Sequence, residues 1–355
     1  MNENKRTPQA GQSHPLLALV MARLREFWRE PAAIFWVYVF PLLMVAALGI
    51  AFRNPPSESF AVAIKEGPHA QDLKLALQAD ERFLCNILSE EECRKRLRTG
   101  RADLMVARTA TEDGQYTFDP TKSTGVLARN AVNDCLQRSA GRTDVIAVKD
   151  QAITEPGNRY IDFLVPGLIG MGIMGGGLWG VGFAIVDLRI RKLLKRYLAT
   201  PMRRGHFMGS VLISRLVFMV PEILVLLLFS QIFFQVTISG SFLLFATLVL
   251  LGSMQFSGIG LLVASRAQTL ETISGLINFV MLPMWFASGI FFSSERFPEI
   301  VQPLIKILPL TPLINALRSV MLEGAGVAAL SQELALILGW TVVTFFLGLR
   351  LFRWN

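Results

Sequence analysis

Charge is scarce in this chain. Only 17% of its 355 residues are Asp, Glu, Lys or Arg, where a soluble domain carries about a quarter. The shortfall sits in several long uncharged runs, as a bilayer requires and a water-soluble core does not. Histidine is scarcer still. His14, His69 and His206 are too far apart to form a ligand pair and read as isolated surface residues. The three cysteines, Cys85, Cys93 and Cys135, include no CxxC pair, so a zinc site has little support. Nowhere does the sequence contain GxxxxGK[ST], GxSxG or HExxH. Nothing in it should hydrolyse ATP, and an enzyme is disfavoured.

Apolar sequence is abundant, with 52% hydrophobic residues and a mean hydropathy of +0.45. Six runs have the length and composition of membrane spans. The first, residues 31–52, reaches about 33 Å as a helix, against a hydrocarbon core of about 30 Å. The others cover 163–186, 216–234, 242–265, 272–292 and 334–349. The polar segment 1–15 lacks the basic-then-apolar order of a signal peptide, so the first run reads as an uncleaved signal anchor. A further apolar stretch, 300–322, is broken by Pro303, Pro309 and Pro312 and carries Lys306 and Arg318. A straight lipid-facing helix does not tolerate this, so it is expected to be re-entrant.

The net charge of +8 reads as basic cytoplasmic loops rather than a nucleic-acid surface. Arg189, Arg191, Lys192, Lys195, Arg196, Arg203 and Arg204 crowd the loop 187–206, whereas 235–241 has no Lys or Arg. Alternation then places both termini in the cytoplasm and the long segment 53–159 outside. That segment alternates strand-like pieces (60–64, 103–107, 144–148) with helical ones (70–79, 89–98, 124–139), a small extracytoplasmic α/β domain. Ser89 and Glu92 have the spacing of a capping box. In an oxidising compartment one disulfide and one spare thiol are possible; three unpaired thiols are equally compatible. Within 1–30, apolar and basic residues alternate at helical spacing over 15–30, as in an amphipathic interfacial helix.

Three polar or small-residue features stand out in the spans. Gly172, Gly176 and Gly180 form two overlapping GxxxG steps in the second run, read as static helix packing. Glu222, near the cytoplasmic side of the third run, has Arg215 two turns earlier as a partner, and a structural ion pair is expected. Asn278, Gln231, Gln235 and Gln255 either line a path or bond across helices.

The loop continues through Leu194-Lys195-Arg196-Tyr197-Leu198-Ala199-Thr200-Pro201-Met202. On charge alone it is a positive-inside anchor. Its order, however, resembles the loop of type-2 ABC exporter permeases. More specific is Pro283-Met284-Trp285-Phe286-Ala287-Ser288-Gly289, followed by Leu308-Pro309-Leu310-Thr311-Pro312 and Leu317-Arg318. This resembles that family's fifth span and Pro-rich re-entrant segment. The segment Leu97-Arg98-Thr99-Gly100-Arg101-Ala102-Asp103 and Phe118-Asp119-Pro120 resemble the external domain of the subfamily with a long first loop.

The resemblance implies a polytopic α-helical permease of six transmembrane helices in a bacterial inner membrane. It would pair with a second permease subunit, as a homo- or heterodimer, and bind a cytoplasmic ABC ATPase. ATP and Mg would sit in that ATPase, with no cofactor on this chain. Residues 189–202, with Arg189, Arg191, Lys192, Lys195, Arg196, Thr200 and Pro201, would form the coupling helix. The implied activity is export of an amphipathic, drug-like or lipid-like substrate. A six-span sensor or channel with an external ligand-binding domain is the alternative, though it would need neither the Thr-Pro loop nor the Pro/Ser-Gly fifth span.

Overall fold

Apolar runs without charge have one way to satisfy their backbone in lipid, and they take it: they become helices. The computed structural model describes residues 15–52, 59–108, 114–143, 146, 149, 159–198 and 204–352. Among them, six helices are long and apolar enough to cross a membrane. These are Pro31–Ala51, Tyr160–Ile190, Gly205–Phe234, Phe242–Ala264, Leu270–Ala287 and Val327–Leu351, called spans 1 to 6 below. The chain parts into two compact units, 1–53 with 154–355 and 54–153.

Spans 3, 5 and 6 have boundaries that differ from the sequence reading, for local reasons. Span 3 starts a dozen residues earlier than expected, because its polar first half does not break the helix. Ser210 and Ser214 turn their hydroxyls back onto the carbonyls of Phe207 and Ser210, at 2.7 and 2.6 Å, which satisfies them inside the helix. Span 5 ends at Ala287 rather than 292. There Gly289 adopts φ +81°, a left-handed stop that a side-chain-bearing residue rarely takes. Span 6 likewise begins early, with a 3₁₀ turn at Val327–Leu330 leading into the helix Ser331–Leu351.

Spans 2 and 4 form the centre of the bundle. Their most apolar windows are 61% buried, against 17–22% for spans 1, 5 and 6. The contact between them is backbone to backbone. A Cβ on Gly182 would lie 2.9 Å from the Gly260 carbonyl, and one on Gly177 would lie 2.5 Å from the Phe256 backbone. Gly177 and Gly182 are therefore the glycines of span 2 that pack on span 4, while Gly172 and Gly176 face side chains of span 3.

Between spans 5 and 6 the chain dips into the bundle and returns, through short helices Gln302–Ile307 and Leu310–Arg318 and a π segment Ser319–Glu323. The depth of the dip follows from its partners. Gln255, thirteen residues into span 4, donates to the Pro309 carbonyl at 2.8 Å, which places the turn about 20 Å along that helix. The returning arm ends where Ser239 and Gly240, just before span 4, donate to the carbonyls of Met321 and Val320 at 2.9 and 3.0 Å. Leu310, Leu313, Ile314 and Leu317 are completely buried.

The unit 54–153 has a four-stranded sheet in the order β2-β1-β3-β4, with β1 Phe60–Lys65, β2 Phe83–Leu88, β3 Leu104–Arg108 and β4 Gly114–Thr117. β1 runs parallel to β2 and β3, and β4 antiparallel to β3. Helices Ala70–Gln78 and Ser123–Ser139 cover one face, burying Leu73, Leu77, Ala128 and Val132 against Val62, Ile64, Leu104 and Val106. Helix Glu90–Arg98 covers the other, with Cys93 against Ala63, Ala102 and Met105. Its start is capped as expected on one side, Ser89 Oγ accepting from the Glu92 amide at 3.4 Å. β2 and β4 were not foreseen: Asn86 interrupts the apolar run of β2, and β4 is half polar. Of the expected strand at 144–148, all but the exposed Ile146 lies outside the described residues.

Candidate functional site

Arg215 and Glu222 stand seven residues apart on span 3, so two helical turns bring them to one face. They meet, Arg215 Nη1 to Glu222 Oε2 at 3.0 Å, with side chains 5% and 9% exposed. The span's early start sets their place along it. Glu222 lies twelve residues before Phe234 and eighteen after Arg204, about 18 Å from one end and 27 Å from the other. The pair thus lies around the middle of this long helix.

Span 2 supplies the seat. Arg215 Nη2 donates to the Gly172 carbonyl at 3.1 Å. A Cβ on Gly172 would overlap Glu222 Oε1, and one on Gly176 would overlap the Arg215 guanidinium. At Gly180 a Cβ would touch Arg215 Cδ at 3.7 Å. One arginine side chain lies along all three glycines. The expected GxxxG packing surface is a trough for a charged side chain. Span 1 adds Tyr38, whose hydroxyl donates to the Phe218 carbonyl at 3.2 Å, between the two charged residues. Tyr38 was missed because nothing in the first run marks it out from an interfacial aromatic.

A second cluster joins the family-motif residues. Pro283 lies inside span 5, and Pro309 precedes helix Leu310–Arg318, which contains the buried Pro312. Arg318, at the end of that helix, donates to the Gly289 carbonyl at 2.9 Å and to the Phe163 carbonyl at 3.4 Å, its guanidinium 3.8 Å from the Phe163 ring centre. Ser288 is fully buried beside Gly289. Residues remote in sequence, 163, 288–289 and 318, therefore close one joint between span 2, the end of span 5 and the re-entrant arm. Nearby, Asp162, 2% exposed, is held by Arg159 at 2.8 Å. The sequence signal for that pair was a carboxylate at the head of an apolar run, three residues after an arginine.

The basic loop does not form one helix. Span 2 ends at Ile190, Lys192 takes φ +57°, and a short helix follows at Leu193–Leu198. Its basic residues have different tasks. Arg189 donates to the carbonyls of Ala264 and Ala267 at 3.0 and 2.6 Å and lies over the Phe352 ring at 5.2 Å. It caps the carbonyl end of span 4, where a cation is favoured. Arg191 pairs with Asp187 at 2.9 Å. Lys192 and Arg196 are exposed, while Leu194 is buried. The helix therefore exposes Arg196 and buries Leu194. Thr200 and Pro201, and the side chain of Lys195, lie outside the described residues.

Comparison with known proteins agrees with this arrangement. The family model for the ABC-2 family transporter protein matches residues 31–350. The inner membrane transport permease YadH of Escherichia coli K12 is 26% identical over 176 residues, covering 46% of this chain and 63% of the relative. ABC transporter G family member 20 of Dictyostelium discoideum is 28% identical over 202 residues, covering 54% of this chain and 27% of the relative. Nodulation protein J of Bradyrhizobium diazoefficiens is 31% identical over 106 residues, covering 30% and 40%. The chain spans less than two thirds of the length of each of these relatives. The family match runs from the start of span 1 to the end of span 6, across the glycine trough, the re-entrant arm and the Arg318 joint: the chain is a multi-pass membrane protein of the ABC-2 transporter family.

Proposed function

We propose that this chain is the membrane-spanning permease subunit of an ATP-driven exporter in a bacterial inner membrane. It works beside a second permease subunit, identical or related, and on a separate cytoplasmic ABC ATPase that carries ATP and Mg. Both termini and the loop 187–206 face the cytoplasm, and the α/β unit lies outside. The substrate class is amphipathic, drug-like or lipid-like, moved along the interface between permease halves.

The observation that supports this reading most is the loop beyond span 2. Arg189 fastens its start to the carbonyl ends of span 4, while Lys192 at the break and Arg196 on the short helix that follows are left exposed. A surface built this way can be pushed by a partner and pass the movement to a span. Arg189 is then the anchor of the loop, and Arg191, Lys192, Lys195, Arg196, Thr200 and Pro201 its docking face. The order of charges also follows the positive-inside rule, with the short loop 235–241 free of Lys and Arg.

Co-purification tests it. The full chain, expressed with candidate ABC ATPases, is expected to retain one of them through size-exclusion chromatography. Arg196→Glu and Pro201→Ala are expected to slow ATP hydrolysis in that complex. Recovery of no ATPase, or hydrolysis unchanged by both substitutions, overturns the coupling assignment.

A further inference from the structure

The Arg215–Glu222 pair is built in a way that packing alone does not explain. Both charges are withdrawn from water near the middle of span 3, and span 2 gives up side chains at Gly172 and Gly176 to admit them. Even so, Arg215 Nε is buried with no partner among the described residues. Two apolar side chains of similar length would fill the same volume without the desolvation cost, and such replacement of a buried pair is often neutral or stabilising. Static stability therefore does not require these residues.

The backbone around the pair adds an independent observation. Spans 1 and 2, both packed on this stretch of span 3, each contain a π segment, Phe35–Val39 and Leu178–Phe183. Tyr38 of the first bonds the Phe218 carbonyl, and Gly180 of the second lies beside Arg215 Cδ. A π turn is one residue out of step with the α-helix on either side, and such turns collect at functional sites. The charged pair, its trough and two irregular turns occupy one neighbourhood shared by three spans.

We propose that Arg215 and Glu222 are positioning residues of the transport cycle: their pairing in the Gly172–Gly180 trough holds spans 1, 2 and 3 in the register seen here, and their separation accompanies the change of register. The inference rests on the permease reading above. It makes the pair necessary for turnover and dispensable for folding.

The test uses the full chain in complex with its ATPase, in lipid nanodiscs, with ATP as the probe. Arg215→Met/Glu222→Leu removes both charges and keeps the volume. The double variant is expected to assemble and to melt at or above the unaltered complex. Its kcat for ATP hydrolysis is expected to fall about tenfold with KM for ATP unchanged, because the lost interaction acts in turnover and not in nucleotide binding. Glu222→Gln, which keeps an oxygen to accept from Arg215, is expected to retain an intermediate kcat. Unchanged kcat in both variants overturns the proposal. So does a double variant that fails to assemble or melts well below the unaltered complex, since the pair is then part of the fold. If the unaltered chain retains no ATPase, it is the permease reading that fails, and the inference falls with it.

Discussion

In the α/β unit, Glu90 lies between Lys65 and Arg94 at 2.6 and 2.8 Å, and Asp80 meets Arg82 at 2.6 Å. In the membrane bundle, Arg215 meets Glu222 at 3.0 Å. The distances are alike and the surroundings are not. The first set sits in water, which screens the attraction and hydrates either partner once the other is gone. The last sits in a glycine trough, where a lone charge has nothing to replace its hydration. The cations beside Glu90 and Asp80 hold both carboxyls below their usual range, but their exposure leaves that interaction little weight in stability. The comparison teaches that an ion pair's importance is set by what remains when one partner is removed.

The largest effect should come from breaking the bundle pair on one side. Arg215→Ala leaves a carboxylate buried and a trough empty, and should cost about 3–5 kcal/mol, read as a fall in melting temperature and in recovered protein. A milder loss in Arg215→Ala than in Gly176→Ala would invert the comparison. Next, Gly176→Ala forces the guanidinium out of its seat, a cost of about 1–3 kcal/mol. In the Arg215→Ala background, where the trough is already empty, the same change should be harmless, since alanine is the better helix former by about 1 kcal/mol. This double-mutant cycle separates a trough for arginine from a helix-packing surface, which would suffer equally in both backgrounds. Third, Gln255→Leu strips the Pro309 carbonyl of its donor at mid-depth and should cost about 1–3 kcal/mol. Glu90→Gln on the α/β unit should leave the melting curve unchanged. The smallest signal is chemical: burial raises the Cys85 thiol from 9.0 to about 11 by penalising the thiolate, so iodoacetamide labelling of a Cys93→Ser/Cys135→Ser variant should keep rising with pH up to about 11. A midpoint near 9.0 would show Cys85 to be exposed.

Much of this was legible from residue types. The six helices follow from uncharged runs whose length matches a bilayer, because backbone groups in lipid have no alternative partner. Pro303, Pro309 and Pro312 marked the re-entrant arm, since a proline ring and missing N–H cannot continue a straight helix. In the α/β unit, Phe60–Lys65 and Leu104–Arg108 announced themselves as apolar runs. β2 did not, because it lies at the sheet edge and turns Leu84 and Asn86 to the open side. Arg215 and Glu222 were visible as candidate partners from their spacing. That Gly172, Gly176 and Gly180 serve that pair was not, because GxxxG spacing is the same whether a helix or a side chain fills the groove.

The sequence by itself determined that this chain crosses a membrane, where its spans lie, and which few charges had to find partners in it. Those outcomes depend on local hydrophobicity and backbone chemistry, which each segment carries alone. Only the tertiary structure decided that span 2 opens a trough for one arginine, that Arg189 turns inward to the carbonyls of span 4 rather than outward, and that Arg318 closes on Gly289 and Phe163. Each of these is a contact between segments remote in the chain. A side chain's role there depends on what the neighbouring helix leaves out, and no pattern within its own segment records that.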